Sequence, residues 1–156
     1  MTNLIIKPIF NQLHIAVRSL VEMIEQLTDE DLKARPIPHK RSIQELLAHI
    51  SMICKANFLI ANEATRQEMD DFYRENEPAT PDQMKEALLQ HYHFLQQKYE
   101  TYTLEQWNER TTSYWGVTYS RYEWLLEIVG HLYHHRGQLY TMLTQQGKEL
   151  KVNLFE

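Results

Sequence analysis

Gly130-His131-Leu132-Tyr133-His134-His135-Arg136-Gly137-Gln138 places three of the chain's histidines among residues at helical spacing. On a helix turning about 100° per residue, His131 and His135 fall one turn apart. Both lie inside the arc that gathers Trp124, Ile128, Leu132, Leu139 and Met142. The stretch therefore reads as the middle of a long amphipathic helix with two imidazoles on its buried face. His134 falls about 120° from the arc's centre and is expected at its edge or outside. Ser120-x-x-Glu123 has the capping-box spacing that opens such a helix, and Gly147 stops it after about Gln146.

Three more segments carry the same periodicity. The first runs from about Ile9 to Leu27, with Leu13, Val17, Leu20, Ile24 and Leu27 at three- and four-residue steps. A short turn at Thr28-Asp29-Glu30-Asp31 follows, then Arg35-Pro36-Ile37-Pro38, which cannot continue a helix. Ser42-x-x-Glu45 opens the second segment, expected to reach about Glu68 through Leu46, Ile50, Ile53 and Ile60. An acidic connection holding Phe72 and Tyr73 is expected from Asp70 to Pro78. Thr80-Pro81-Asp82-Gln83 supplies a cap, a proline at the first helical position and a reciprocal glutamine for a third helix to about Tyr102. Its face reads Met84, Leu88, His91, Leu95 and Lys98. A less regular stretch from Thr103 to Tyr119 is rich in aromatics. Without repeats, low-complexity tracts or linkers, the pattern predicts an all-α four-helix bundle, a single domain over residues 1–156.

Composition narrows the function. The 156 residues are 43% hydrophobic and 24% charged, the balance of a globular domain. The 16 Lys and Arg against 21 Asp and Glu give a net charge of −5. That charge offers no cationic face for nucleic acid and no attraction to an anionic membrane. Four Gly and five Pro are too few for a turn-rich all-β fold. The one cysteine, Cys54, can make neither an internal disulfide nor a multi-thiolate zinc site. No signal peptide and no run of about 20 apolar residues is seen, so a cytoplasmic location is expected.

Eight histidines make metal binding worth weighing. Two imidazoles one turn apart on a helix can hold one ion. They can also be core residues whose nitrogens find hydroxyl or carbonyl partners. Burying both makes the second reading costly, since each needs a partner and neither can readily charge. His49 adds a third, because it stands between Leu46 and Ile53 and faces the same core. Three neutral imidazoles from two helices would leave coordination positions open for water or substrate. His91 is the rival on the third helix, either as ligand or base or as a packed core residue. His14, His39 and His93 compete less well.

His49 together with His131-Leu132-Tyr133-His134-His135-Arg136-Gly137-Gln138 resembles the DinB/YfiT-like superfamily of four-helix-bundle metalloenzymes, over nearly the whole chain. The resemblance implies a site for one divalent metal ion, commonly zinc or nickel, held by His49, His131 and His135. It also implies a homodimer. Several superfamily members transfer the low-molecular-weight thiols bacillithiol or mycothiol, and one branch is a thiol-dependent isomerase. On this basis the chain is expected to act on a small-molecule substrate, by thiol transfer to an electrophile. The alternatives are a metal-dependent hydrolase, a non-catalytic metal-binding bundle of the stress response, and a metal-free bundle.

Around the ligands, Glu45 and Glu127 each stand one turn before a histidine. They could accept its second N–H, or be solvated carboxylates. Gln138 returns to the metal-facing arc, where it could orient a water or satisfy a buried group. Arg136 points away, towards a helix or subunit contact, and Gly137 is expected to permit a close helix approach. Cys54 reads as a small core residue. The aromatics from Trp107 to Trp124 could roof a pocket above the metal or serve as packing.

Overall fold

The computed structural model describes residues 2–156, with side chains from Leu4 onward; Met1 of the expected domain lies outside the described residues. Four long helices form the body: α1 (Thr2–Ile24), α3 (Ile43–Ala61), α5 (Pro81–Glu100) and α7 (Arg121–Gln145). Helix α3 packs against α5 and α7, and α1 packs against the same two, so α1 and α3 sit diagonally across the bundle. Fully buried Leu13, Leu20, Leu47, Ile50, Leu95 and Leu139 fill the centre. Burying a side chain of this size is worth about 1.5–3 kcal/mol.

Short elements join the long ones. Helix α2 (Asp29–Lys33) follows a Thr28–Asp31 capping box, where the sequence shows a turn. Helix α4 (Arg66–Asn76) lies between α3 and α5, and α6 (Leu104–Asn108) follows α5. Strands β1 (Arg110–Thr112) and β2 (Thr118–Ser120) pair antiparallel, with Thr111 opposite Tyr119. This hairpin docks on the end of α3: Thr111 Oγ1 donates to the Ala61 carbonyl at 2.7 Å, and Glu63 Oε1 accepts the Thr112 N–H at 2.9 Å.

Two helix boundaries differ from expectation. The second long helix stops at Ala61, not near Glu68. It closes in a Schellman motif: the Ala64 N–H bonds to the Leu59 carbonyl and the Glu63 N–H to Ile60, with Glu63 at φ 66°. Thr65 and Glu68 then form a capping box of their own. The acidic stretch is thus helix α4, whose Met69 and Phe72 pack on Met52, Ala56 and Ile60 of α3. Helix α1 begins before Pro8 and contains it. The proline removes one N–H, whose acceptor would be the Leu4 carbonyl at an end where Leu4 is exposed and water can serve.

The caps form largely as their spacing predicts. Ser42 and Glu45 exchange both bonds of a capping box. At Thr80 the glutamine accepts instead from Ala79 N–H, and at Ser120 only the serine half forms. Helix α3 has the length and hydropathy of a membrane-crossing helix, but most of it is buried inside the bundle. It is the core helix of this fold.

Candidate metal centre

Helices α3 and α7 bring His49, His131 and His135 together between them. One nitrogen from each lies within 4.8 Å of the other two. His49 Nε2 and His135 Nε2 are 3.2 Å apart. Zinc–nitrogen bonds of about 2.0–2.1 Å at a tetrahedral angle put two ligand nitrogens about 3.3 Å apart, so this pair already stands at ligand separation. No other group of histidine, cysteine and carboxylate side chains converges this way among the described residues.

Hydrogen bonds behind two of the rings set where each carries its proton. His135 Nδ1 lies 2.9 Å from Gln138 Oε1, an acceptor only. Nδ1 therefore carries the proton, and Nε2 presents its lone pair towards His49. His131 Nδ1 lies 2.9 Å from Asn57 Nδ2 and accepts its N–H, which puts the ring proton on Nε2 in the metal-free protein. A metal at Nε2 would require the Asn57 amide to turn its oxygen to the ring, so that Nδ1 takes the proton. His49 Nδ1 has no protein partner among the described residues, so its Nε2–H can donate to His135 until an ion replaces that proton.

The electrostatics keep the cluster neutral. Burial, the nearby Arg41 charge and the two other imidazoles push His49 down to about 3. Burial and neighbouring His135 and His134 push His131 down to about 4. Burial also lowers His135, opposed by its bond to Gln138. Neutral imidazole is the form that binds metal, and three of them preserve the charge of a bound divalent ion. The donor set therefore fits zinc, nickel or another borderline divalent ion.

The remaining candidates sort cleanly. His91 is a packed core residue whose Nδ1 donates to the Ser51 carbonyl at 2.8 Å. His14, His39, His93 and His134 are exposed. Neither Glu45 nor Glu127 supports an imidazole: Glu45 pairs with Arg35 and caps Ser42, and Glu127 has no hydrogen-bond partner among the described residues. Gln138 takes that role at His135, and Asn57 is the neighbour of His131. Gln138 stood in the sequence motif, whereas Asn57 was missed; its signal is a place two turns after His49 on the same helix. Cys54 is buried, with its thiol pushed up to about 12.

Arg136 does turn from the cluster, into the α1–α7 contact. It donates to Ser19 Oγ at 3.0 Å and to the Leu154 carbonyl, and it lies 4.5 Å from the centre of the Tyr133 ring. Gly137 corrects an expectation, since it is exposed and nothing lies within 4 Å of where a Cβ would stand. For the aromatics, the packing alternative holds at the two buried tryptophans. Trp107 and Trp124 are buried in packing, and the exposed Tyr114 and Trp115 lie on the hairpin turn. Beside His49 opens instead a cleft of about 440 Å³, lined by Arg41, Ala48, Met52, Tyr73 and Glu77.

The sequence model of the DinB family matches residues 4–152. The chain belongs to the DinB family. A crystal structure assigned to the DinB family, from Exiguobacterium sibiricum 255-15, is 35% identical, covers 96% of each chain and superposes with a TM-score of 0.86. A DinB-like protein of Bacillus cereus ATCC 10987 shares the fold at 17% identity and TM-score 0.75, over 95% of this chain and 97% of that one. The DinB-like protein YjoA of Bacillus subtilis does so at 16% identity and TM-score 0.72, over 96% and 99%. No curated protein matches the chain. Membership in the DinB family thus rests on nearly the full length, including both helices that carry the three histidines.

Proposed function

We propose that this DinB-family chain is a divalent-metal-dependent enzyme that transfers a low-molecular-weight thiol to an electrophilic small molecule. The observation that carries the reading is the 3.2 Å approach of His49 Nε2 to His135 Nε2 beside an open cleft. A divalent ion in such a site would supply Lewis acidity that lowers the pKa of a coordinated thiol or water towards neutral. The chain's own residues do the rest. His49, His131 and His135 hold the ion on two packed helices, while Gln138 and Asn57 fix two of the rings. The cleft lined by Tyr73 and Met52 positions the electrophile.

The state of the one cysteine supports a thiol brought in from outside. Cys54 is buried and its thiol is held well above neutral pH. In the transfer, a sulfur–carbon bond forms as the bond from that carbon to its leaving group breaks. The leaving group takes the electron pair, and the thiol proton goes to solvent through the open cleft. The same opening admits water, which supports metal-dependent hydrolysis as the second reading.

Mass spectrometry of untagged protein, wild type beside His135→Ala, tests the site. One divalent ion per chain, lost in the variant, is the expected result. The metal-loaded protein is then assayed on electrophiles with and without thiol. Turnover that requires thiol supports transfer, and turnover without it supports hydrolysis. No metal after loading with zinc and nickel would overturn both.

A further inference from the structure

The cleft beside His49 carries a cation that no ion pair or side-chain hydrogen bond among the described residues engages. Arg41 is exposed and lines the cleft. It makes no ion pair and no side-chain hydrogen bond among the described residues. Most other arginines are engaged: Arg18 with Glu22, Arg35 with Glu45, Arg74 with Asp71, Arg121 with Glu109 and Arg136 with Ser19. The Tyr73 hydroxyl, on the same cleft, also lacks a hydrogen-bond partner among the described residues. Burial raises that phenol, so it stays a proton donor at neutral pH.

Position makes this more than a stray surface charge. Arg41 immediately precedes Ser42, the cap of α3, and His49 lies two turns along that helix. The field of Arg41 reaches all three imidazoles and the Tyr73 phenol. Two acidic side chains share the cleft. Glu45 is committed to Arg35 and to the Ser42 N–H. Glu77 has no side-chain partner among the described residues, and it opposes negative charge beyond the one that Arg41 can neutralise.

We propose that Arg41, with Tyr73, is the specificity-determining anchor for a small-molecule monocarboxylate, whose carboxylate sits in the cleft while its other end reaches the three-histidine cluster. The guanidinium fork matches a carboxylate's two oxygens, and a free phenol adds a third donor. A bound divalent ion would add positive charge beside Arg41 and strengthen the preference for an anion. This assignment deepens the proposed function by naming a substrate class. It depends on that reading only for what happens at the ligand's far end.

The test titrates butyrate and butyramide into the full chain, once metal-free in chelator-free buffer and once zinc-loaded, while following the Arg41 Nε–H resonance. Butyrate should shift that resonance saturably in both forms and butyramide should not. Arg41→Gln should weaken butyrate about tenfold or more and Arg41→Lys less, with otherwise native spectra. Tyr73→Phe should weaken it by a smaller factor. Succinate and inorganic phosphate, which bring further charge against Glu77, should bind more weakly than butyrate. Equal butyrate binding by Arg41→Gln, equal binding of butyramide, or tighter binding of phosphate would overturn the assignment. Butyrate binding without zinc uptake would sink the metal reading and leave this one standing. Zinc uptake without a butyrate response would do the reverse.

Discussion

His135 Nδ1 and Gln138 Oε1 stand 2.9 Å apart on one turn of α7, and this pair sets which face of the imidazole is basic. An amide oxygen accepts only, so the ring must donate from Nδ1 and turn its lone pair towards His49. Removing the acceptor leaves the ring free to rotate or change tautomer. Gln138→Leu should therefore lower zinc affinity about 10–100-fold. Competition with a chromophoric chelator measures it, and an unchanged affinity would remove Gln138 from the site.

Asn57 Nδ2 donates to His131 Nδ1 from the opposite helix, and with its amide turned it would accept from that nitrogen in the metal-bound form. Asn57→Leu should cost a comparable factor in zinc affinity. Asn57→Asp keeps an acceptor oxygen and should retain most of it. The same chelator competition reads both, and equal loss in the two variants would point to disrupted packing in place of lost orientation.

The metal-free protein should lose stability in mild acid. His49 and His131 are held near 3 and 4 in the fold, against about 6.5 in the unfolded chain. Between those values the unfolded state binds more protons, so stability is complete above pH 6.5 and falls as the pH drops towards 4. Urea unfolding at pH 7.0, 6.0 and 5.0 should show a descending midpoint. His49→Gln should flatten that descent, and an unaltered slope would locate the effect elsewhere.

Arg136 is 4% exposed and supplies the donor for Ser19 Oγ and for the Leu154 carbonyl. Arg136→Ala strands both acceptors and unpins the chain end, which Gln26 and Arg18 also hold. A loss of about 2–4 kcal/mol is expected. Denaturant titration at pH 7 provides the number, and a loss below 1 kcal/mol would show that solvent replaces the contact.

Cys54 should resist thiol reagents in the native state, because its sulfur is buried and its thiol is held near 12. Ellman's reagent at pH 8 should react only after denaturant is added. Cys54→Ala should leave metal content unchanged.

Most of the bundle was legible because its signals are local. Ser42 with Glu45, Thr80 with Pro81, and Ser120 mark helix starts that need nothing beyond neighbouring residues. The end of α3 was hidden because its left-handed position is Glu63, where a glycine would have announced the stop. Thr65 and Glu68 did carry a capping-box spacing, but within a pattern that still looked periodic. Helical phase put His49, His131 and His135 on inward faces, and the family resemblance joined them. Asn57, Arg41 and Tyr73 escaped because their roles depend on what α7 and α4 bring opposite them. No spacing within a single helix reports that.

The histidines stand on α3 and α7, two long helices of the bundle body, whereas Arg41 sits in a loop and Tyr73 and Glu77 belong to the small helix α4 and its end. On the proposed function, ligand-holding and substrate-facing duties would fall on parts of the chain with different tolerance for change. Substitutions, insertions or rearrangements around residues 35–42 and 66–78 can redraw the cleft while leaving the donor atoms where they are. A lineage built on this plan can try new substrates without reinventing its inorganic chemistry, so relatives that keep the three histidines should differ most in those two segments.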